Sequence, residues 1–245
     1  MRYNIYVIHA LQTLGYAFLG GLLPSLLWLY FLLKEDGRCP EPKAMVALAF
    51  AAGMATVPLV LPFEIAAQTK YGTGNTTIFA WAAAEETLKY VMAALFILWR
   101  RSVDERPDYV IYMVTVALGF AAAENMLFLF APLSAGAVLG SHGAIVTENL
   151  RFIGSTVLHA TASAVVGFAL AFSFARGVWV RLGAVATGLI LAIGLHTAFN
   201  TIIIHRDGTI ALGAFFLVWM IAVVFFAVFE ILKYIQYRNL PKNTC

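Results

Sequence analysis

Long apolar stretches alternate with short polar breaks along this chain. A helix that spans a membrane needs about 20 mostly apolar residues. Seven stretches qualify, at roughly 5–33, 44–66, 77–99, 109–131, 149–175, 182–204 and 209–233. Lipid offers no partner to a backbone N–H or C=O, and these runs are too long for barrel strands, so each predicts a helix. The expected fold is all-α: a polytopic membrane protein, one domain over residues 1–245, built as a bundle of about seven transmembrane helices. Pro58 and Pro62 are expected to kink the second helix or end it early. The stretch 132–147, rich in Gly, Ala and Ser, is the least regular segment and a candidate gate.

Composition agrees with the pattern. Of 245 residues, 62% are hydrophobic and only 12% charged, about half the charged fraction of a soluble domain. The net charge of +3 says little about partners, and no nucleic-acid partner is expected. Cys39 and Cys245 lie far apart and have no metal-binding spacing, so no structural disulfide is expected. The first apolar run is too long for the core of a signal peptide and reads as a retained helix.

Charge placement sets the expected topology. Lys34, Arg38, Lys43, Arg100, Arg101, Arg106, Arg176, Arg181, Lys233, Arg238 and Lys242 fall on one side, 11 of the 16 basic residues. The positive-inside rule then puts the N-terminus outside a cell membrane and the C-terminus in the cytoplasm.

Against this apolar background, Glu85 and Glu86 stand together in the third run, with Lys89 just behind. A charge near the bilayer centre costs about 2.5–3.5 kcal/mol on insertion scales. The expected topology places Glu85, Glu86, Glu124, His159 and His196, from four helices, roughly 10–15 Å below the outer surface at 1.5 Å per residue. Lys89 is three and four residues from the two glutamates and shares their face. Arg151, Ser155 and His159 form one stripe, and Gly188, Ala192, His196 and Asn200 another, whose small residues suit close helix packing.

Imidazole and carboxylate side chains are zinc ligands. A bound metal acidifies water and polarises a carbonyl. His159 and His196 with one or more of Glu85, Glu86 and Glu124 form the candidate metal site, with Glu86 and Glu124 the expected carboxylate ligands and Glu85 the favoured base. Asn200 is a candidate oxyanion donor or an orienting group for His196. A metal-free version, in which a glutamate activates water, uses the same residues. Glu64 reads as a residue near a helix end, where interfacial solvation suffices.

The ordered set Glu85-Glu86-x-x-Lys89, Gly119-Phe120-Ala121 with Glu124-Asn125, Arg151 followed by His159, and His196-x-x-x-Asn200 resembles the PrsW family of intramembrane proteases. That family shares a superfamily with the CAAX prenyl proteases and with bacteriocin-processing enzymes. The resemblance covers residues 85–200 and departs from the pattern at Phe128, where a tyrosine is expected. It implies a metalloprotease with the glutamates and histidines at its core, supported by Lys89, Asn125 and Arg151. It also implies a prokaryotic membrane and a membrane-anchored substrate such as an anti-sigma factor, cut at site 1. Two other functions fit a buried polar cluster. One is a proton- or cation-coupled transporter or channel, for which repeats and broken helices would be the sign. The other is a non-catalytic scaffold that binds a partner helix.

Overall fold

A computed structural model describes the backbone of residues 2–134, 144–205 and 208–238, and the side chains of 11–130, 154–204, 210 and 212–238. Seven α-helices follow one another: α1 (Arg2–Glu35), α2 (Lys43–Tyr71), α3 (Asn75–Ala93), α4 (Arg106–Ser134), α5 (Ala144–Phe172), α6 (Val178–His205) and α7 (Gly208–Tyr237). Six of them are long and apolar enough to cross a membrane among the described residues. The exception is α3, whose 19 residues include Glu85, Glu86 and Lys89. It continues into a wide π-helical turn over Ala94–Leu98. Such a turn costs regular i→i+4 bonding and occurs mostly near functional sites. The stretch 135–143, within the candidate gate, lies outside the described residues.

Neither proline ends α2, which runs unbroken to Tyr71 with Pro58 and Pro62 inside it. Each removes one N–H, but α2 is held along its length by α3 and α4, and packing of this kind tolerates proline in a spanning helix.

Helix α4 is the central element. Its residues Ile111, Tyr112, Met113, Val116, Ala117, Leu118, Ala121 and Ala122 have no solvent exposure. Two glycines let α2 and α4 touch backbone to backbone. A Cβ on Gly119 would lie 2.0 Å from the Phe50 carbonyl oxygen, and one on Gly53 would lie 1.9 Å from that of Val116. Small residues at such crossings replace the hydrophobic drive that lipid does not supply.

Arg38, Arg181 and Lys233, among the basic residues that set the expected topology, lie at one end of the bundle. Arg38 near the end of α1 donates to the Tyr237 carbonyl at the end of α7. Lys233 donates to the Glu35 carbonyl, and Arg181 at the start of α6 donates to the Tyr109 hydroxyl near the start of α4. The same end holds a group of carboxylates. Glu41 accepts a hydrogen bond from the Tyr112 hydroxyl, Glu105 accepts one from Tyr237, and Asp36 accepts one from the Glu41 backbone N–H. The expectation of unlinked cysteines is overturned here, because Cys39 is disulfide-bonded. Chain segments remote in sequence converge at this end, which spacing alone does not reveal. Cys245 lies outside the described residues.

Candidate active site

Four helices bring their polar residues into one buried cluster. Glu85, Glu86 and Lys89 come from α3, Glu124 and Asn125 from α4, His159 from α5 and His196 from α6. Glu86, Lys89, His159 and His196 are each no more than 2% exposed. Small neighbours admit this crowding. Ala82, Ala121, Ala122 and Ala192 are fully buried beside the polar groups, and at Gly188 the α6 backbone approaches Val166 of α5.

Hydrogen bonds fix the two imidazoles in different ways. His196 Nδ1 lies 2.8 Å from Glu86 Oε1. A carboxylate only accepts, so Nδ1 carries the proton and Nε2 keeps its lone pair. That lone pair faces Glu85 Oε2 at 3.8 Å. His159 Nε2 lies 2.7 Å from Glu124 Oε2, which puts its proton on Nε2 by the same reasoning. His159 Nδ1 then faces Glu85 Oε2 at 3.9 Å and accepts from Lys89 Nζ at 3.1 Å. The two rings meet edge to face, 5.0 Å between centroids, and Phe120 closes the other edge of His159 at 5.0 Å.

Lys89 also donates to Glu86 Oε1 at 2.5 Å and sits 4.7 Å from the centre of the Phe120 ring. Ser163 donates to the second oxygen of Glu86. Ser155 donates to Glu124 at 3.3 Å, and Asn125 donates to the Thr156 hydroxyl at 3.1 Å. Glu85 is the exception, because its Oε2 atom is buried with no hydrogen-bond partner.

Glu85, His159 and His196 each offer one donor atom within 4.8 Å of the others. Three ligands on tetrahedral zinc, with bonds near 2.1 Å, lie about 3.4 Å apart. The observed 3.8 and 3.9 Å separations from Glu85 close to that by side-chain movements of a few tenths of an ångström. The donor set therefore fits a zinc ion.

A family-level comparison agrees with this geometry. Residues 41–229 match the model of the PrsW family intramembrane metalloproteases. The chain belongs to the PrsW family. Protease PrsW of Bacillus subtilis (strain 168) is 26% identical over 191 residues, covering 75% of this chain and 80% of the relative. Protease PrsW of Geobacillus kaustophilus (strain HTA426) is 32% identical over 115 residues, covering 45% and 51%. No solved structure matches the chain. A PrsW chain is a peptidase set in a membrane.

The structure brings together Glu85, Glu86, Lys89, Glu124, His159 and His196. It arranges them differently from the expected ligand set. Glu86 and Glu124 face the outer ring nitrogens, and Glu85, the expected base, faces the inner ones. Asn125 supports the α4–α5 crossing rather than the cluster. Asn200 sits half-buried one turn beyond His196, with no described contact to the cluster. The Arg151 side chain lies outside the described residues. Glu64 departs from its sequence reading. It is not near the end of its helix, because α2 continues seven residues to Tyr71, and its backbone carbonyl accepts a hydrogen bond from the Trp81 indole N–H of α3 at 2.9 Å. One sequence signal pointed there: Gly53, Val57, Val60 and Glu64 fall on one helical face, and the first three are buried.

Proposed function

We propose that this PrsW chain hydrolyses a peptide bond of a membrane-anchored protein near the outer membrane surface, at a centre formed by Glu85, His159 and His196. The Glu85 Oε2 atom carries this reading. It is buried, has no hydrogen-bond partner, and faces the unprotonated ring nitrogens of two histidines. A carboxylate left so costs several kcal/mol unless something else binds it. Three carboxylates, two of them buried, against one ammonium also favour a divalent cation. Glu85, His159 and His196 would hold zinc, which would polarise the scissile carbonyl and acidify a water.

The chain's own residues supply the rest. Glu86 holds His196 by its Nδ1–H, which keeps Nε2 aimed inward. Glu124 holds His159 in the same way. Its side chain is 22% exposed, against 1% for Glu86 and 6% for Glu85. Glu124 is thus the carboxylate that meets outside water, and we assign it the proton transfers: one from the attacking water, one to the leaving amine. Asn200, a turn from His196, takes the role of steadying the developing oxyanion once substrate draws it in.

The N-terminus outside and the C-terminus in the cytoplasm complete the reading, with an anti-sigma factor as the substrate class. The test uses the full chain in lipid nanodiscs with a membrane-anchored reporter. Zinc content near one per chain with cleavage is expected for the wild type, and loss of both with retained folding for His159→Ala, His196→Ala. Undiminished cleavage in Glu85→Gln and in His196→Ala would overturn the assignment.

A further inference from the structure

Glu86 steadies His196, and one contact from a third helix steadies Glu86. Its Oε1 accepts from His196 Nδ1 of α6 and from Lys89 Nζ of its own helix. Among the described residues its other oxygen, Oε2, has one donor, the Ser163 hydroxyl of α5 at 3.4 Å. Glu86 is 1% exposed and Ser163 has no exposure, so bulk water does not reach the contact. Ser163 follows His159 by one helical turn and shares its face of α5. Ser155 precedes His159 by one turn and donates to Glu124. One face of α5 thus sends a hydroxyl to each carboxylate that holds a histidine. A hydroxyl inside a helix has a nearer acceptor, the carbonyl one turn earlier. The buried Thr56, Thr115 and Thr161 use it here. Ser163 instead crosses to α3.

We propose that Ser163 is a positioning residue, whose hydroxyl holds the Glu86 carboxylate in line with His196 and so keeps His196 Nε2 aimed at Glu85. The inference rests on the functional reading above. Two donors at Oε1 do not by themselves fix the plane of a carboxylate; a third donor at Oε2 does. Without Ser163, Oε2 would be a buried anionic oxygen with no donor, a costly state. The group would then turn to share Lys89 between its two oxygens, drawing Oε1 off the line to His196 Nδ1. The imidazole would be free to swing, and Nε2 would lose its fixed aim. Partners that orient ligand histidines are worth about 10–100-fold in metal affinity. Ser163 acts through such a partner, so a loss at the low end, about tenfold, is expected.

Two readouts on the full chain in lipid nanodiscs test this. The first is the 15N–1H nuclear magnetic resonance signal of His196 Nδ1–H in metal-free protein, which reports its hydrogen bond to Glu86 and is assigned by its loss in His196→Ala. The second is a Co2+ titration followed by the visible absorption of the bound ion. Ser163→Ala should move the His196 signal, weaken Co2+ binding about tenfold and change the spectrum. Ser163→Thr keeps the hydroxyl, and Ser163→Val has the same shape without it. The threonine variant should match the wild type and the valine variant the alanine one, a pattern that packing alone does not produce. An unmoved His196 signal in Ser163→Ala and Ser163→Val overturns the proposal, as does a threonine variant that behaves like valine. Wild-type Co2+ affinity in the alanine and valine variants overturns it too. If the wild type takes up no Co2+, the metal reading fails on its own, and the His196 signal alone decides Ser163.

Discussion

Glu86 Oε1 serves two donors at once: it lies 2.8 Å from His196 Nδ1 and 2.5 Å from Lys89 Nζ. One carboxylate therefore orients a histidine and neutralises the ammonium of its own helix. Breaking a buried pair from one side strands the other charge, at a cost of about 3–5 kcal/mol. Glu86→Ala should lose stability of that order, read by denaturant unfolding in micelles. The double variant Glu86→Ala, Lys89→Met should recover most of it, because no charge is then left unpaired.

Glu85 and Glu124 should separate kinetically. A glutamine at 124 still accepts from His159 Nε2–H but cannot move a proton. Glu124→Gln should lower kcat by about 10²–10⁴ and leave zinc content at the wild-type level. Glu85→Gln should lose zinc and activity together. Reporter cleavage and elemental analysis on the same samples distinguish the two roles.

The α2–α4 crossing leaves no space for a methyl group. Gly119→Ala drives a Cβ into the Phe50 carbonyl, and Gly53→Ala does the same at Val116. Each should cost about 1–3 kcal/mol through forced helix separation. Gly183→Ala, with nothing within 4 Å of its added Cβ, should be neutral or slightly stabilising. Thermal unfolding in one detergent compares the three.

Stability should fall as pH rises on the side of the bundle that carries Asp36 and Glu41. Burial pushes Asp36 up to about 7. Burial also pushes Glu41 up to about 9, against the opposing hydrogen bond from Tyr112. Both folded values lie above the ordinary carboxylate values of 3.8 and 4.5, so the folded state binds more protons in between. The slope of unfolding free energy against pH is then negative. The contribution is complete below about pH 4 and lost as pH passes through 7 and then 9. Melting temperatures between pH 5 and 9 should decline, and Glu41→Gln should flatten the upper part of that decline. A rising or flat wild-type curve would contradict the sign.

Much of the site was legible because lipid makes polarity conspicuous. Glu85, Glu86, Glu124, His159 and His196 stood out as residues that should not be there, and helical rise placed them at one depth. The bundle meets that expectation: ring nitrogens and carboxylates lie within 4 Å of one another. What spacing does not carry is which ring nitrogen faces which oxygen. That depends on helix rotation and side-chain rotamers, which set Glu86 against His196 Nδ1 and Glu85 between the other two ring nitrogens.

Lys89 has a consequence for how the site is filled. A ring nitrogen's lone pair serves one partner at a time, and that of His159 Nδ1 is already taken by an ammonium 3.1 Å away. A metal held by Glu85, His159 and His196 would therefore have to displace the Lys89 ammonium from that lone pair, and Glu86, 2.5 Å from Nζ, would keep the displaced ammonium paired.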